Sequence, residues 1–156
     1  MNNKANSASN SNASQGCRGM DMGPQPYVLN IVAAAKQNCN YRTAIWTGTH
    51  LQATLMCIPV GGDIGFEVHP DTDQFLRIEQ GCGMVKMGNG KDKVVLQQNI
   101  SPGCAIFVPA GTWHNLINTG DVPLKLYTIY APPHHPHGTI HRTKSDAMAT
   151  ENPSKK

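Results

Sequence analysis

Four side chains in three short stretches have types and spacings suited to holding a cation. Glu67 and His69 stand two residues apart in the run 65–69, so an extended chain turns both to one face. Gln74 shares a face with Leu76 and Ile78 in the run 74–78, with Phe75, Arg77 and Glu79 on the other. His114 shares a face with Leu116 in the run 112–118. A carboxylate, an amide and two imidazoles on inward faces of neighbouring strands are costly in an apolar interior unless they are partnered. A metal ion satisfies all four together. A hydrogen-bonded core histidine is the plainer reading of either imidazole alone.

The elements that must position these groups are strands. Apolar or β-branched runs recur at 42–47, 51–60, 65–69, 74–78, 83–87, 93–98, 105–109, 112–118 and 124–130. Turn residues separate them, including Gly61-Gly62-Asp63, Pro70-Asp71, Gly88-Asn89-Gly90, Ser101-Pro102-Gly103 and Gly120-Asp121. Many short strands at nearly even spacing predict an all-β sandwich or barrel. A short strand at 27–31 and a turn or two of helix through 32–36 are expected before them.

The glycine and histidine spacings resemble the two sequence motifs of the cupin superfamily. Gly61, Glu67, His69, Gln74 and Gly81 follow the spacing of the first, G(X)5HXH(X)3–4E(X)6G. Glu67 stands where that motif has its first histidine and Gln74 where it has glutamate. Gly103, Pro109, Gly111, His114 and Asn118 meet every fixed position of the second, G(X)5PXG(X)2H(X)3N. The resemblance implies a small antiparallel β-barrel, or jelly roll, with a metal in its mouth, and usually a homodimer. Position by position it implies Glu67, His69, Gln74 and His114 as the metal's ligands. Two His and one carboxylate suit Fe, Mn, Ni, Co or Zn, with Gln74 a weaker oxygen donor. Gly61, Gly81, Gly103 and Gly111 are expected at tight turns or positive φ, and the Asn118 amide is expected to brace a turn.

A second histidine group, His134, His135, His137 and His141, follows the last long strand among prolines. A solvated loop is its plainer reading. The functional reading is a flap over the barrel mouth, with His135 or His137 as proton carrier. Tyr127 and Tyr130 fall on opposite strand faces, so at most one lines a cavity. The catalytic candidates are His135, His137 and Tyr127.

The chain of 156 residues is the size of one domain, with a net charge of +3, 15 Gly and 11 Pro. Within 25–142, eight Lys/Arg against seven Asp/Glu leave no basic stripe, so nucleic acid is not an expected partner. No apolar run is long enough to cross a bilayer, which argues against a membrane protein. Nine of the first fifteen residues are Asn or Ser, so 1–24 is expected to be a disordered tail. The folded domain is expected at 25–142, and 143–156 reads as a flexible tail. Five cysteines without a CxxC pair read as reduced thiols in a cytoplasmic protein.

Three functions follow from the resemblance. One is a metal-dependent enzyme acting on a small oxygenated metabolite, as in cupins grouped with mannose-6-phosphate isomerases. The second is an Fe(II) dioxygenase-type cupin. The third is a non-catalytic cupin that binds a small molecule or serves as a structural module.

Overall fold

Alternating burial along the strands closes two antiparallel sheets over one another in a computed structural model that describes residues 20–151. Helix α1 (Ile31–Gln37) precedes strands β1 (Arg42–Thr47), β2 (Gln52–Ile58), β3 (Asp73–Gln80), β4 (Gly83–Gly88), β5 (Val94–Ile100), β6 (Ala105–Val108), β7 (Trp113–Asn118), β8 (Leu124–Ala131) and β9 (Ile140–His141). Helix α2 (Lys144–Glu151) follows. The larger sheet has the order β6-β3-β8-β2-β1-β9 and the smaller β5-β4-β7. This is the antiparallel jelly roll expected from the sequence.

The inward face of each strand divides into two zones. On β8, Leu124 and Leu126 are fully buried at one end and Thr128 and Tyr130 at the other. Strand β2 repeats the pattern, with Ile58 and Met56 followed by Thr54 and Gln52, and β3 runs from Ile78 and Leu76 to Gln74. Register pairs Gln52 and Gln74 with Tyr130, and Leu76 and Thr54 with Thr128. The barrel therefore has an apolar floor and a polar mouth. A second, smaller core lies outside it, where Ala35 of α1 packs on Ile45 and Leu55. Helix α1 begins at Asn30, whose side chain accepts from the Ala33 amide at 3.0 Å.

Two turn predictions hold in detail. Gly61, Gly81, Gly103 and Gly111 all have positive φ. At Gly81 (φ 83°) a side chain would also meet the Pro123 carbonyl at 3.0 Å. The Asn118 amide donates to Ile58 O and Val122 O and accepts from Gly120 N, fastening the turn after β7.

Four expectations are corrected. Residues 27–31 form no strand, since the chain there leads into α1. The C-terminal segment is not a flexible tail as far as residue 151, because it forms α2. That helix starts with reciprocal bonds between Thr143 and Asp146, a capping box written in the sequence as Thr-x-x-Asp. Ala147 is buried in the main core and Glu151 pairs with Arg42. At the other end, residues 20–24 lie against the barrel: Asp21 is buried and accepts hydrogen bonds from Thr47 and the amides of Gly23 and Gly138. The rest of the expected N-terminal tail, and Cys17 with it, lies outside the described residues. Finally, Cys39 is disulfide-bonded, whereas Cys57, Cys82 and Cys104 are free thiols. Disulfides persist mainly in oxidising compartments, so the reduced-thiol ground for a cytoplasmic location is withdrawn.

Candidate metal centre

The two motif segments are joined by backbone before any side chain is considered. Residues 62–67 run along β7 with Asn118 N bonded to Gly62 O, Ile64 N to Leu116 O, and a reciprocal pair between Glu67 and His114 at 3.0 and 2.9 Å. From Ile64 to Glu67 this segment is one residue longer than the matching stretch of β7, and Gly65 takes up the extra residue at φ 80°. Such a bulge re-aims the side chains that follow it. The expected strand 65–69 is therefore absent as a strand, and Glu67 meets β7 through an isolated bridge to His114. Two further bonds set the neighbouring turns: Gly111 N donates to His69 O at 2.8 Å, and Ala110 N donates to Asp73 Oδ1 at 2.8 Å.

These constraints bring Glu67, His69 and His114 together as a triad that could hold a metal ion. Glu67 Oε1 lies 3.4 Å from the Nε2 of His69 and 3.4 Å from the Nε2 of His114. All three donor atoms fall within 4.8 Å of one another. Donors about 2.1 Å from a shared ion at tetrahedral angles stand about 3.4 Å apart. Both Nε2 atoms are buried and make no well-formed hydrogen bond. His114 Nδ1 is 3.0 Å from the Thr112 carbonyl, which can only accept, so Nδ1 carries a proton and Nε2 is the ring nitrogen turned to Glu67. Burial alone would raise the Glu67 carboxyl's pKa, but the imidazoles of His114 and His69 beside it hold it well below the usual carboxylate range. The donor set and its orphaned nitrogens fit a divalent transition metal.

Around the triad the mouth holds other buried polar atoms without well-formed hydrogen bonds: Gln74 Oε1, Thr54 Oγ1, the Tyr130 hydroxyl, Arg42 Nε and His135 Nε2. Gln74 faces the interior as expected, and its Nε2 donates to Thr128 Oγ1 at 3.1 Å, leaving Oε1 open.

The histidine loop is not simply solvated. The His134 ring packs 4.0 Å from the ring of His69, and His135 is buried against Tyr130 at 5.0 Å. Fully buried Gln52 fastens the loop: its Oε1 accepts from the amides of His134 and His135, and its Nε2 donates to His135 O at 2.8 Å. Burial pushes the pKa of His135 down to about 2 and that of His134 to about 4, with Arg42 adding to the first and His69 to the second.

Two catalytic candidates lie elsewhere. His137 is 55% exposed and its Nε2 donates to Gly23 O at 2.8 Å, beside Asp21. Tyr127 points to the outer face of β8, against Phe75 and the α1 core. Its neighbour in the sequence reading, Tyr130, is the inward residue and sits 5.7 Å from the His69 ring. The alternation of β8 separates the two tyrosines, but α1 covers the outer face, so both faces read as partly apolar in the sequence. Gln52, Tyr130 and Arg42 are site residues that sequence reasoning missed. The period-two alignment of Gln52 with Thr54, and of Thr128 with Tyr130, was the available signal.

Comparison with known proteins agrees with this architecture. The cupin domain family model matches residues 54–130. The crystal structure of BH2720 from Bacillus halodurans is 58% identical, with a TM-score of 0.82 over 83% of this chain and 98% of that one. This chain is a cupin. The cupin is also 63% identical over 131 residues to the uncharacterized protein YrkC of Bacillus subtilis, covering 84% of this chain and 70% of that protein. KdgF from Halomonas sp., at 20% identity and a TM-score of 0.53 over 60% of this chain and 80% of that one, shares the fold alone. Among the described residues, no helix of this cupin is long and apolar enough to cross a membrane.

Proposed function

We propose that this cupin is a metal-dependent enzyme acting on a small oxygenated metabolite, in the manner of a sugar or sugar-phosphate isomerase. The observation that carries the reading is the pair of buried, unpartnered imidazole nitrogens, each 3.4 Å from one carboxylate oxygen. Glu67, His69 and His114 would hold Fe, Mn, Ni, Co or Zn, with Gln74 Oε1 as a further donor. When bound, such an ion polarises a carbonyl or hydroxyl of the ligand. The chain's own groups do the rest. His134, rather than His135 or His137, is the loop imidazole placed against the triad, so its ring is the group to take and return a proton. The His134–His135 segment, gripped by Gln52, limits the entry of water.

The same two-His, one-carboxylate set favours a second reading as an Fe(II) dioxygenase. Elemental analysis of protein purified without an affinity tag should find a transition metal near one per chain, absent from His114→Ala. A metal-free preparation with full activity would refute both readings. Conversion of sugars, sugar phosphates, sugar acids and diketones by the loaded protein, with and without O2, separates them. A dioxygenase consumes O2 and its iron form gives a nitric oxide spectroscopic signature.

A further inference from the structure

Arg42 is the one guanidinium buried in the barrel mouth among the described residues, at 2% exposure, and its partners do not account for all of its donors. Its Nη1 donates to Glu151 Oε1 at 3.2 Å and to His141 Nδ1 at 3.3 Å. His141 Nδ1 must accept, because arginine only donates, and the ring's other nitrogen then donates to Thr150 Oγ1 at 2.9 Å. Arg42 Nε has no partner, and the Tyr130 hydroxyl, fully buried beside Arg42 and Thr128, makes no well-formed hydrogen bond to either. Tyr130 is itself the residue whose ring meets His69, so the unpaired donors lie next to the metal triad.

Glu151 is an incomplete partner for this arginine. It offers one oxygen to one nitrogen, is 39% exposed, and comes from the last turn of α2. A guanidinium presents a planar fork that matches both oxygens of a carboxylate. The charges agree. With a divalent ion in the triad, Glu67 offsets one of its two positive charges, Arg42 adds one and Glu151 removes one. Withdrawal of Glu151 leaves the mouth at a net +2, which is costly where Arg42, His69 and His114 are all buried. A ligand carboxylate restores the balance.

We propose that Arg42, with the Tyr130 hydroxyl, is a carboxylate-binding subsite, and that Glu151 holds the place of the ligand's carboxylate until α2 releases it. The inference rests on the metal reading above for its charge balance, and it narrows the ligand to an oxygenated carboxylic acid. The unpaired donors are few and planar, which suits a carboxylate better than a tetrahedral phosphate.

Full-length protein, zinc-loaded or chelated, is titrated by calorimetry with sodium pyruvate and, separately, with inorganic phosphate, while the Arg42 Nε–H resonance is followed by NMR. Pyruvate should bind, move that resonance and outcompete phosphate. Glu151→Gln removes the internal competitor and should tighten pyruvate binding about tenfold if Glu151 occupies the arginine in about nine molecules in ten. Arg42→Lys, with its loss of the fork, should weaken binding about tenfold. Because Arg42 is buried, Glu151→Gln keeps the inference testable should Arg42→Lys fail to fold. Pyruvate binding that ignores both substitutions and leaves the resonance unmoved overturns the subsite, as does phosphate binding equal to pyruvate. A protein that takes up no zinc yet shows the arginine-dependent binding keeps this subsite and removes the metal reading.

Discussion

The floor and the mouth of the barrel are built from the same strands, yet they use their interiors in opposite ways. At the floor, Leu124, Leu126, Ile58, Ile78 and Leu116 leave no polar atom to satisfy, and the hydrophobic effect alone rewards closure. At the mouth, the same inward positions carry Tyr130, Thr128, Thr54, Gln52 and Gln74, several with polar atoms that nothing in the protein bonds. Native interiors rarely leave such atoms orphaned. The floor therefore supplies stability, and the mouth spends some of it on groups arranged for something outside the chain.

The comparison breaks most visibly if the floor is truncated. Leu126→Ala should cost about 2–5 kcal/mol in denaturant unfolding while leaving metal stoichiometry intact in the folded fraction. A mouth substitution that matched this cost without touching the site's polar network would contradict the division. Gln52→Ala should cost about 1–3 kcal/mol, because it strands the backbone groups of His134 and His135. Hydrogen exchange should show those two amides released while amides of the floor strands stay protected.

Acid should loosen the mouth before the floor. His135, His134 and His141 all have pKa values lowered in the folded protein, chiefly by burial. Below about pH 6.5 the unfolded chain takes up protons at these rings that the folded chain refuses, so stability falls as pH drops from there. The loss continues towards pH 4 for His134 and further for His135. Thermal unfolding measured from pH 7.5 to 5 should show this slope, and His135→Gln should flatten it. The smallest effect belongs to Tyr130→Phe, expected within about 1 kcal/mol of the parent, because the hydroxyl it removes has no well-formed hydrogen bond to lose. A larger cost would mean that the hydroxyl is already bonded, and would close the subsite proposed for it.

Much of the architecture could be read from turn chemistry and spacing. The run from Gly103 to Asn118 placed β6, the turn at Gly111, His114 and the Asn118 brace, because each residue answers to a local demand of φ or hydrogen bonding. Helix α2 was equally local in origin, through the Thr143–Asp146 box, but its few apolar residues hid it among polar neighbours. Placement within the mouth was less legible. Period two put Tyr127 and Tyr130 on opposite faces without saying which was inside, since α1 makes the outer face partly apolar as well. His135 and His137 differ by two positions in a proline-rich loop, where no periodicity operates.

What the sequence determined by itself was therefore short-range: which segments extend, where they turn, and that a carboxylate and two imidazoles recur at intervals able to meet. Only the tertiary structure decided that Gly65 adds the residue that swings Glu67 onto His114, that Gln52 draws His134 over His69, and that Arg42 and Glu151 meet from segments 109 residues apart. Those outcomes depend on backbone register and on packing between distant elements, which no local preference encodes.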